Sequence, residues 1–239
     1  MMAIFRDRRD AGQKLAQKLA KYRDRPDVVI LALPRGGVPV AFEVAQALNV
    51  VLDILLVRKL GVPGHEELAM GAIASGGVRI LNEEVVRILH LPDDVIDLAT
   101  ARELKELERR ERAYRGDRPR PNLQDRIAII VDDGLATGAS MRAAINALRL
   151  QQPKRIVVAV PTASPETCET FEQEVDEIIC ATTPQPFMGV GMWYRDFGQV
   201  TDQEVRELLA RAVQRLPDPE ISFTGTSRGG RSSLSKNLS

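Results

Sequence analysis

The chain has few aromatic residues, few histidines and few cysteines. Aromatic side chains make up 4% of its 239 residues, there are two histidines, and the two cysteines are Cys168 and Cys180. Two cysteines cannot build the disulfide framework of a small secreted domain, and without a CxxC pair they do not predict a zinc site. We therefore expect both to be buried or incidental thiols.

The sequence also lacks long apolar runs and a net charge. No run of 18 apolar residues is present, which excludes a membrane-spanning helix. The first ten residues carry charges where a secretory signal needs apolar side chains. Basic and acidic residues number 33 each, which argues against a general nucleic-acid binder but allows a local basic pocket. We expect a cytoplasmic protein whose partners are small molecules.

Short apolar runs alternate with helical segments along the chain. The runs are rich in β-branched residues and lack clean alternation, which is typical of parallel strands covered on both faces. They lie at 27–33, 50–57, 127–131, 155–160 and 176–181. Helices are predicted near the N-terminus, at 37–48, 139–151 and 165–174, and after the capping box of Thr201 and Glu204. This order predicts an α/β fold with a doubly wound, mostly parallel five-stranded sheet.

We predict one domain over residues 1–216, followed by a disordered Ser/Gly-rich tail at 217–239. The domain would carry a hairpin at Gly76-Gly77, a helical insertion at about 82–121 and a small hood at about 184–200. Within the insertion, acid-first pairs four residues apart support a helix over the charged run 102–115. That run is most simply a solvated helix. Its alternative is a lid or a dimer arm, so a homodimer is compatible with the sequence.

The strongest functional signal is the stretch Ile129–Met141, in which an apolar strand ends in two acids and a short turn opens a helix. Asp132 and Asp133 follow the strand at its carboxyl end, where ligands bind in open α/β sheets. The turn and the helix N-terminus would bind phosphate through backbone N–H groups, with hydroxyls from Thr137 and Ser140. Carboxylates beside a phosphate suit ribose hydroxyls, so the turn predicts a sugar-phosphate site. The alternative is a solvated acid pair and a helix cap.

This stretch resembles the 5-phosphoribosyl 1-pyrophosphate (PRPP) motif of type I phosphoribosyltransferases. Hydrophobic residues, two acids, two further residues and a small-Thr-Gly-x-Ser turn match in order. The likeness covers roughly residues 1–215 and is greatest to a prokaryotic group with a Pro-Arg-Gly-Gly-Val-Pro loop, here residues 34–39. It implies transfer of ribose 5-phosphate from PRPP to a nitrogenous base or similar small nucleophile, with release of pyrophosphate. Magnesium (Mg2+) would arrive bound to the pyrophosphate.

The resemblance also implies roles for individual residues. Asp132 and Asp133 would hold the ribose hydroxyls and, with the basic pair Arg58 and Lys59, form the catalytic group. The 5-phosphate would contact the turn, namely Gly134, Ala136, Thr137, Gly138, Ala139 and Ser140. The pyrophosphate would contact the loop of Arg35, Gly36 and Gly37. Gly134 and Ala136 depart from the family pattern, which more often has Val or Ile and Thr or Ser there.

Two further segments are implied to contact substrate. A mobile loop would follow Lys59, with His65 and Glu67 as candidates for direct chemistry. In the hood, Phe187 would stack on the acceptor, and Trp193 would lie beside it. The alternative for this aromatic segment is a satellite hydrophobic cluster under the last helix.

Other classes of function stay open at this point. A non-catalytic regulatory protein could bind PRPP or a nucleotide on the same fold, and a basic surface would favour it. A phosphate-binding hydrolase would need an acid nucleophile and a separate lysine, which the turn does not show. No segment of the sequence predicts which acceptor is used.

Overall fold

The computed structural model describes residues 4–214. Its central sheet has five strands, β1 Val28–Ala32, β2 Val51–Ile54, β6 Ile127–Val131, β7 Arg155–Thr162 and β8 Glu177–Thr182. They lie in the order β2-β1-β6-β7-β8, and every neighbouring pair is parallel. The predicted fold class and all five predicted strands are confirmed. The predicted tail lies outside the described residues.

Helices cover both faces of this sheet. They are α1 Arg8–Lys18, α2 Gly37–Leu48, α5 Ala139–Arg149, α6 Pro165–Glu172 and α7 Asp202–Val213. One apolar cluster joins the sheet to α1, α2 and α7, and a second joins it to α5 and α6. In the described part of the chain, no helix is long and apolar enough to cross a membrane. The sheet is therefore doubly wound, as the alternation of strands and helices predicts.

A second sheet of three antiparallel strands follows β2. It consists of β3 Val57–Val62, β4 His65–Ala74 and β5 Val78–Leu81, in that order. The hairpin predicted at Gly76-Gly77 joins β4 to β5, as expected. The prediction of a loop after Lys59 is wrong. This segment forms the end of β3 and the start of β4, which pair with each other and are joined by a turn at Gly64, whose φ is +80°. Leu60 and Val62, two residues apart, are both buried, as alternate residues of a strand are when one face is covered. This alternation favours a strand although glycines and a proline lie nearby.

The predicted helical insertion contains two helices, α3 Glu83–Ile88 and α4 Asp93–Arg115. They are separated by a turn in which His90 has a φ of 47° and Pro92 precedes α4. The helix α4 packs against β3, β4 and α7. The interpretation of its charged run as a solvated helix is wrong, because Glu103, Glu111 and Arg115 are buried. The spacing of the charges predicts the helix but does not show which face is covered.

Buried ion pairs fasten the end of α4 to the edge strand β2. Arg115 donates to the Asp53 carboxylate at 3.0 Å and to the Glu111 carboxylate at 3.0 Å. It also donates to the backbone carbonyl of Ile54 at 3.2 Å, and Arg120 pairs with Glu111. The side chains of Arg115, Asp53 and Glu111 are each less than a tenth exposed. Such a network stabilises a structure when every member is paired, and it becomes costly when one is removed.

We predict that Arg115→Ala will destabilise the fold by about 3–5 kcal/mol, because it leaves the buried Asp53 carboxylate without its cation and removes one of the two cations that pair with Glu111. The free energy of unfolding should be measured by urea titration. Arg112→Ala is the matched control, since Arg112 lies one turn earlier on the same helix and is exposed. Equal losses in the two variants would contradict a stabilising role for the buried network.

The two cysteines form a disulfide bond that joins α6 to β8. The expectation of incidental thiols is therefore wrong. Cys168 lies on α6 and Cys180 on β8, two elements that follow each other along the chain and pack together. Their 12-residue separation alone does not reveal this pairing, because it depends on how the helix is placed on the strand.

Candidate functional site

Asp132 and Asp133 follow β6, the middle strand of the sheet, at its carboxyl end. Both are half-buried. The backbone N–H of Asp133 donates to Asp132 Oδ1 at 2.8 Å, which fixes the first carboxylate. Arg8 of α1 donates from Nε to Asp133 Oδ2 at 2.8 Å. The predicted acid pair is thus brought to the edge where ligands of such sheets bind, with an arginine against one member.

Burial makes the ionised acid pair costly. Loss of solvation raises the pKa of Asp132 well above its ordinary value, and the neighbouring charge of Asp133 raises it further. Loss of solvation also raises the pKa of Asp133, while Arg8 opposes that rise. Carboxylates held in this way at a sheet edge are typical of functional sites, where stability is lost in exchange for chemistry.

We predict that Asp132→Asn will stabilise the folded chain by about 0.5–2 kcal/mol at pH 8, within the usual range of stabilising substitutions. A carboxylic acid whose pKa is raised by folding contributes stability when protonated, and that contribution is lost as the pH rises through the raised value. The asparagine has no charge to desolvate, and its Oδ1 can still accept the N–H bond from Asp133.

The melting temperature should be measured between pH 5 and pH 8.5. The advantage of Asp132→Asn over the natural chain should grow with pH. Asp117→Asn is the control, because Asp117 is exposed. A lower melting temperature for Asp132→Asn at every pH would contradict the assigned cost of burial.

The loop between β1 and α2 packs directly on the acid pair. A methyl group added at Gly36 would collide with Asp133 Oδ2, and one added at Gly37 would lie 2.7 Å from the carbonyl oxygen of Val131. The preceding peptide bond, between Pro34 and Arg35, is cis. These glycines therefore permit the close approach of the loop to the carboxylates.

The side chain of Arg35 extends from this loop to the start of α7. Its guanidinium lies 3.7 Å from Asp202 Oδ1, which also accepts a hydrogen bond from the Tyr114 hydroxyl at 2.6 Å. Burial and the Asp202 charge raise the pKa of Tyr114 to about 12. The loop is thereby connected to both α7 and the end of α4.

The turn after the acid pair is held by the helices on one side of the sheet. Gly138 has a φ of +75°, a conformation that glycine adopts without strain, and a Cβ added there would collide with the ring of Phe171. Arg142 of α5 donates to the Thr137 carbonyl at 3.0 Å, and Thr167 of α6 donates to the Ala136 carbonyl at 3.2 Å. These contacts fix the backbone of the turn ahead of α5, as a phosphate site requires.

The aromatic segment packs on the N-terminal residues and not under α7. Trp193 and Tyr194 are buried against Phe5, with Phe187 and Val190 partly buried at the border. The Tyr194 hydroxyl donates to the Asp133 carbonyl at 2.5 Å. Val190 meets Gly134 so closely that no side chain fits there. The departure at Gly134 is therefore explained by contact with the hood.

An open groove of about 660 Å³ borders this segment. It is lined by Ser164, Glu166, Gln185, Pro186 and Phe187. The helix α6 forms one wall and contacts the turn through Thr167, so the groove adjoins the candidate phosphate site. Clefts of this size with a few polar groups commonly bind small molecules.

The family model described as phosphoribosyl transferase domain matches residues 4–187. The chain belongs to the phosphoribosyl transferase domain family. The matched range includes the loop at residues 34–37, the acid pair and the turn. The resemblance to that family in the sequence is confirmed.

Individual relatives agree with this assignment. "Putative phosphoribosyl transferase Rv0571c" of Mycobacterium tuberculosis (strain ATCC 25618 / H37Rv) is 49% identical over 211 residues, which are 88% of this chain and 47% of the relative. The chain thus spans about half the length of the curated relatives it matches. The crystal structure of TT1426 from Thermus thermophilus is 44% identical, with a TM-score of 0.77, and the match covers 87% of this chain and 98% of that chain.

In this phosphoribosyl transferase domain, Arg58 and Lys59 lie on β3 and already have partners. Arg58 donates to Glu103 of α4 at 2.5 Å, and Lys59 donates to the Glu67 carbonyl at 3.2 Å. Among residues 4–214, no ion pair joins either side chain to the acid pair. His65 and Glu67 are exposed on β4. The structure brings the loop, the acids, the turn and the hood together, and the basic pair extends from a separate sheet.

The carboxylates of Asp132 and Asp133 are the oxygen donors that the domain offers at this edge. Within the described residues, no group of three or more His, Cys, Asp or Glu side chains could hold a metal ion. Magnesium keeps several waters and is commonly bound through one or two carboxylates and the phosphates of a substrate. The donor set therefore fits a magnesium ion that is bound together with a phosphate ligand.

Three residues of the site do not follow from the sequence pattern: Arg8, Tyr194 and Asp202. Arg8 lies in the first turn of α1, where local signals predict the helix but not a contact with Asp133, and Asp202 is in the first turn of α7. Tyr194 lies within the predicted hood, but its bond to Asp133 joins residues 61 positions apart. Only the packing of distant segments places Arg8 and Tyr194 at Asp133 and Asp202 beside Arg35.

Proposed function

We propose that this chain transfers ribose 5-phosphate from PRPP to a nitrogenous base or similar small nucleophile and releases pyrophosphate. The observation that carries the proposal is the junction of three segments at the end of β6. The glycine loop contacts the acid pair on one side, the turn of residues 134–140 follows it, and the hood packs on Gly134. Membership of the phosphoribosyl transferase domain family supports the same reaction.

Each segment has a part in this reaction. Backbone N–H groups of the turn and the hydroxyls of Thr137 and Ser140 would bind the 5-phosphate, with Ala136, Gly138 and Ala139 shaping the turn. Asp132 and Asp133 would accept hydrogen bonds from the ribose hydroxyls. The backbone N–H of Gly36 would bind the pyrophosphate, and Gly37, whose N–H donates to the Leu33 carbonyl at 3.0 Å, would shape the loop.

The basic residues complete the pyrophosphate site. The Arg35 side chain extends from the loop, and Arg58 and Lys59 would reach the site from the small sheet. Bound magnesium would neutralise part of the charge on the pyrophosphate.

Catalysis would rest on positioning and electrostatics. The bond from ribose C1 to the pyrophosphate oxygen breaks with its electron pair leaving on pyrophosphate, and the acceptor's lone pair forms the new bond to C1. The acceptor's proton passes to solvent. Positive charge develops on the ribose ring in between, and the fixed carboxylates would stabilise it.

The groove beside Phe187 is the proposed acceptor site. Its open face would admit a planar base, and the partly buried ring of Phe187 would stack on it. Trp193 is 4% exposed and lies almost parallel to Phe187, with the ring centroids 6.4 Å apart. Trp193 would therefore support Phe187 from within the cluster, and contact with the acceptor would fall to Phe187.

A non-catalytic regulator that binds PRPP or a nucleotide is the second candidate. It is favoured by the ion pair between Arg58 and Glu103, which engages one of the expected catalytic cations. Such a protein would use the same acid pair and turn for binding and would not release pyrophosphate.

We predict that PRPP binds in a magnesium-dependent manner and that Asp133→Asn weakens binding at least tenfold. A lost charge-assisted hydrogen bond of about 1.5–3 kcal/mol corresponds to a change of that order. Calorimetric titration with and without magnesium measures it, with Asp117→Asn as the control. Equal affinity of Asp133→Asn and the natural chain would contradict the assignment of the ribose site.

Turnover then separates the two candidates. Release of pyrophosphate should be measured with PRPP, magnesium and a panel of purine, pyrimidine and other nitrogenous bases. Release with one class of base, lost in Asp133→Asn, supports the enzyme. Tight PRPP binding with no release across the panel supports the regulator.

A further inference from the structure

The disulfide bond between Cys168 and Cys180 fastens a short helix to the edge of the central sheet. Cys180 lies on β8, the last strand of that sheet, and pairs with Val160 of β7 in parallel register. Cys168 lies in the middle of α6, which has eight residues. Helices shorter than about 12–15 residues are marginal on their own in water, so α6 depends on its attachments to neighbouring elements.

Two neighbours of Cys168 on α6 contact the candidate phosphate turn. The Thr167 hydroxyl donates to the Ala136 carbonyl at 3.2 Å. Phe171, three residues after Cys168, is fully buried, and a Cβ added at Gly138 would lie 2.5 Å from its ring. Gly138 is also the residue from which α5 starts. The position of α6 therefore determines how firmly this turn is held.

The same helix borders the proposed acceptor groove. Ser164 and Glu166, at the start of α6, line it on one side. From the segment after β8, Gln185 donates to Glu166 Oε1 at 3.4 Å. The disulfide thus joins the two chain segments that lead into the groove, and its helix touches both proposed parts of the site.

We propose that the bond between Cys168 and Cys180 is a redox switch on the candidate site. When the bond is formed, it holds α6 against the sheet, and α6 keeps the phosphate turn ready for its ligand. When the bond is reduced, α6 is held less firmly, and the turn binds phosphate more weakly. This inference rests on the proposed function, because the ligand whose affinity changes is PRPP.

The switching reaction is thiol–disulfide exchange with an external dithiol. Cys180 is partly exposed on an edge strand, whereas Cys168 is 8% exposed, so a thiolate from solvent attacks the sulfur of Cys180. The electron pair of the broken S–S bond leaves on Cys168. The second thiol of the reductant then releases Cys180, so that the reductant becomes a disulfide and its two thiol protons pass to the cysteines. A small-molecule disulfide such as oxidised glutathione reverses the reaction.

The test uses the natural chain in three states: oxidised, reduced with dithiothreitol, and reoxidised with oxidised glutathione. Excess reagent is removed before each measurement, and mass spectrometry after thiol alkylation shows the state of the cysteines. Affinity for PRPP with magnesium is then measured by calorimetry.

The reduced chain should bind PRPP about two- to tenfold more weakly, which is the change that one lost hydrogen bond produces. Reoxidation should restore the affinity. The double variant Cys168→Ser/Cys180→Ser should bind weakly with or without dithiothreitol. Equal affinity of the oxidised and reduced chains would overturn the proposal and leave the bond a stabilising role only. Thiols that stay free in oxidised glutathione would also overturn it.

A matched pair of variants tests the route from α6 to the turn. Thr167→Val removes the hydroxyl that bonds Ala136, so its oxidised form should bind PRPP more weakly and its response to reduction should be smaller. Thr170→Val is the control, because the Thr170 hydroxyl donates to the Glu166 carbonyl within α6 and should leave the response unchanged. A full response in Thr167→Val would contradict this route.

A further measurement is independent of PRPP. Hydrogen exchange, followed by mass spectrometry, should become faster on reduction in the segment 134–142, where the Arg142 N–H donates to the Gly138 carbonyl at 2.8 Å. Exchange in β1 should not change. Unchanged exchange in the turn would overturn the inference. If no form of the chain binds PRPP, the proposed function fails, and hydrogen exchange alone decides whether the disulfide controls the turn.

Discussion

The burial of two adjacent carboxylates at the end of β6 is the constraint on which the candidate site depends. Two adjacent negative charges that repel each other and are partly buried lower the stability of the folded chain. One surrounding segment offsets that cost, and two others pack closely on the pair. Arg8 supplies a countercharge, the Gly36-Gly37 loop lies close because it has no side chains to collide, and Gly134 admits Val190 of the hood. A bound ribose with its hydroxyl donors would satisfy the same carboxylates, so ligand binding would stabilise the folded chain at the point where it is least stable.

At the end of α4, in contrast, the buried charges are paired with charges of opposite sign. Its Glu111 and Arg115 form a closed set of ion pairs with Asp53 and Arg120, in which each charge has a partner. The same helix contacts expected pyrophosphate ligands, since Glu103 holds Arg58 and Tyr114 shares Asp202 with Arg35. A rigidly fastened helix therefore connects two cationic segments that lie far apart in the sequence.

Local pattern was enough to predict most of the framework. The α2 boundaries, the β6 strand and the capped start of α7 each follow from signals within a few residues, and the acid pair follows from its position after a buried strand. The errors share one cause. The β3–β4 pairing, the buried face of α4 and the bond between Cys168 and Cys180 depend on which elements pack together, and that information is not contained in any short window. Arg8 is the same case at the site itself.

The partners of the basic pair bear on the choice between enzyme and regulator. Lys59 meets the exposed Glu67, and an ion pair between exposed side chains contributes only about 0–1 kcal/mol. Pyrophosphate, with several negative charges, would displace Glu67 readily. Arg58 is different, because its Glu103 partner is 11% exposed and would keep only the ion pair with the largely exposed Arg102. In the proposed reaction, Lys59 would accordingly be the cation that exchanges partners, and Arg58 would contact pyrophosphate while it keeps its bond to Glu103.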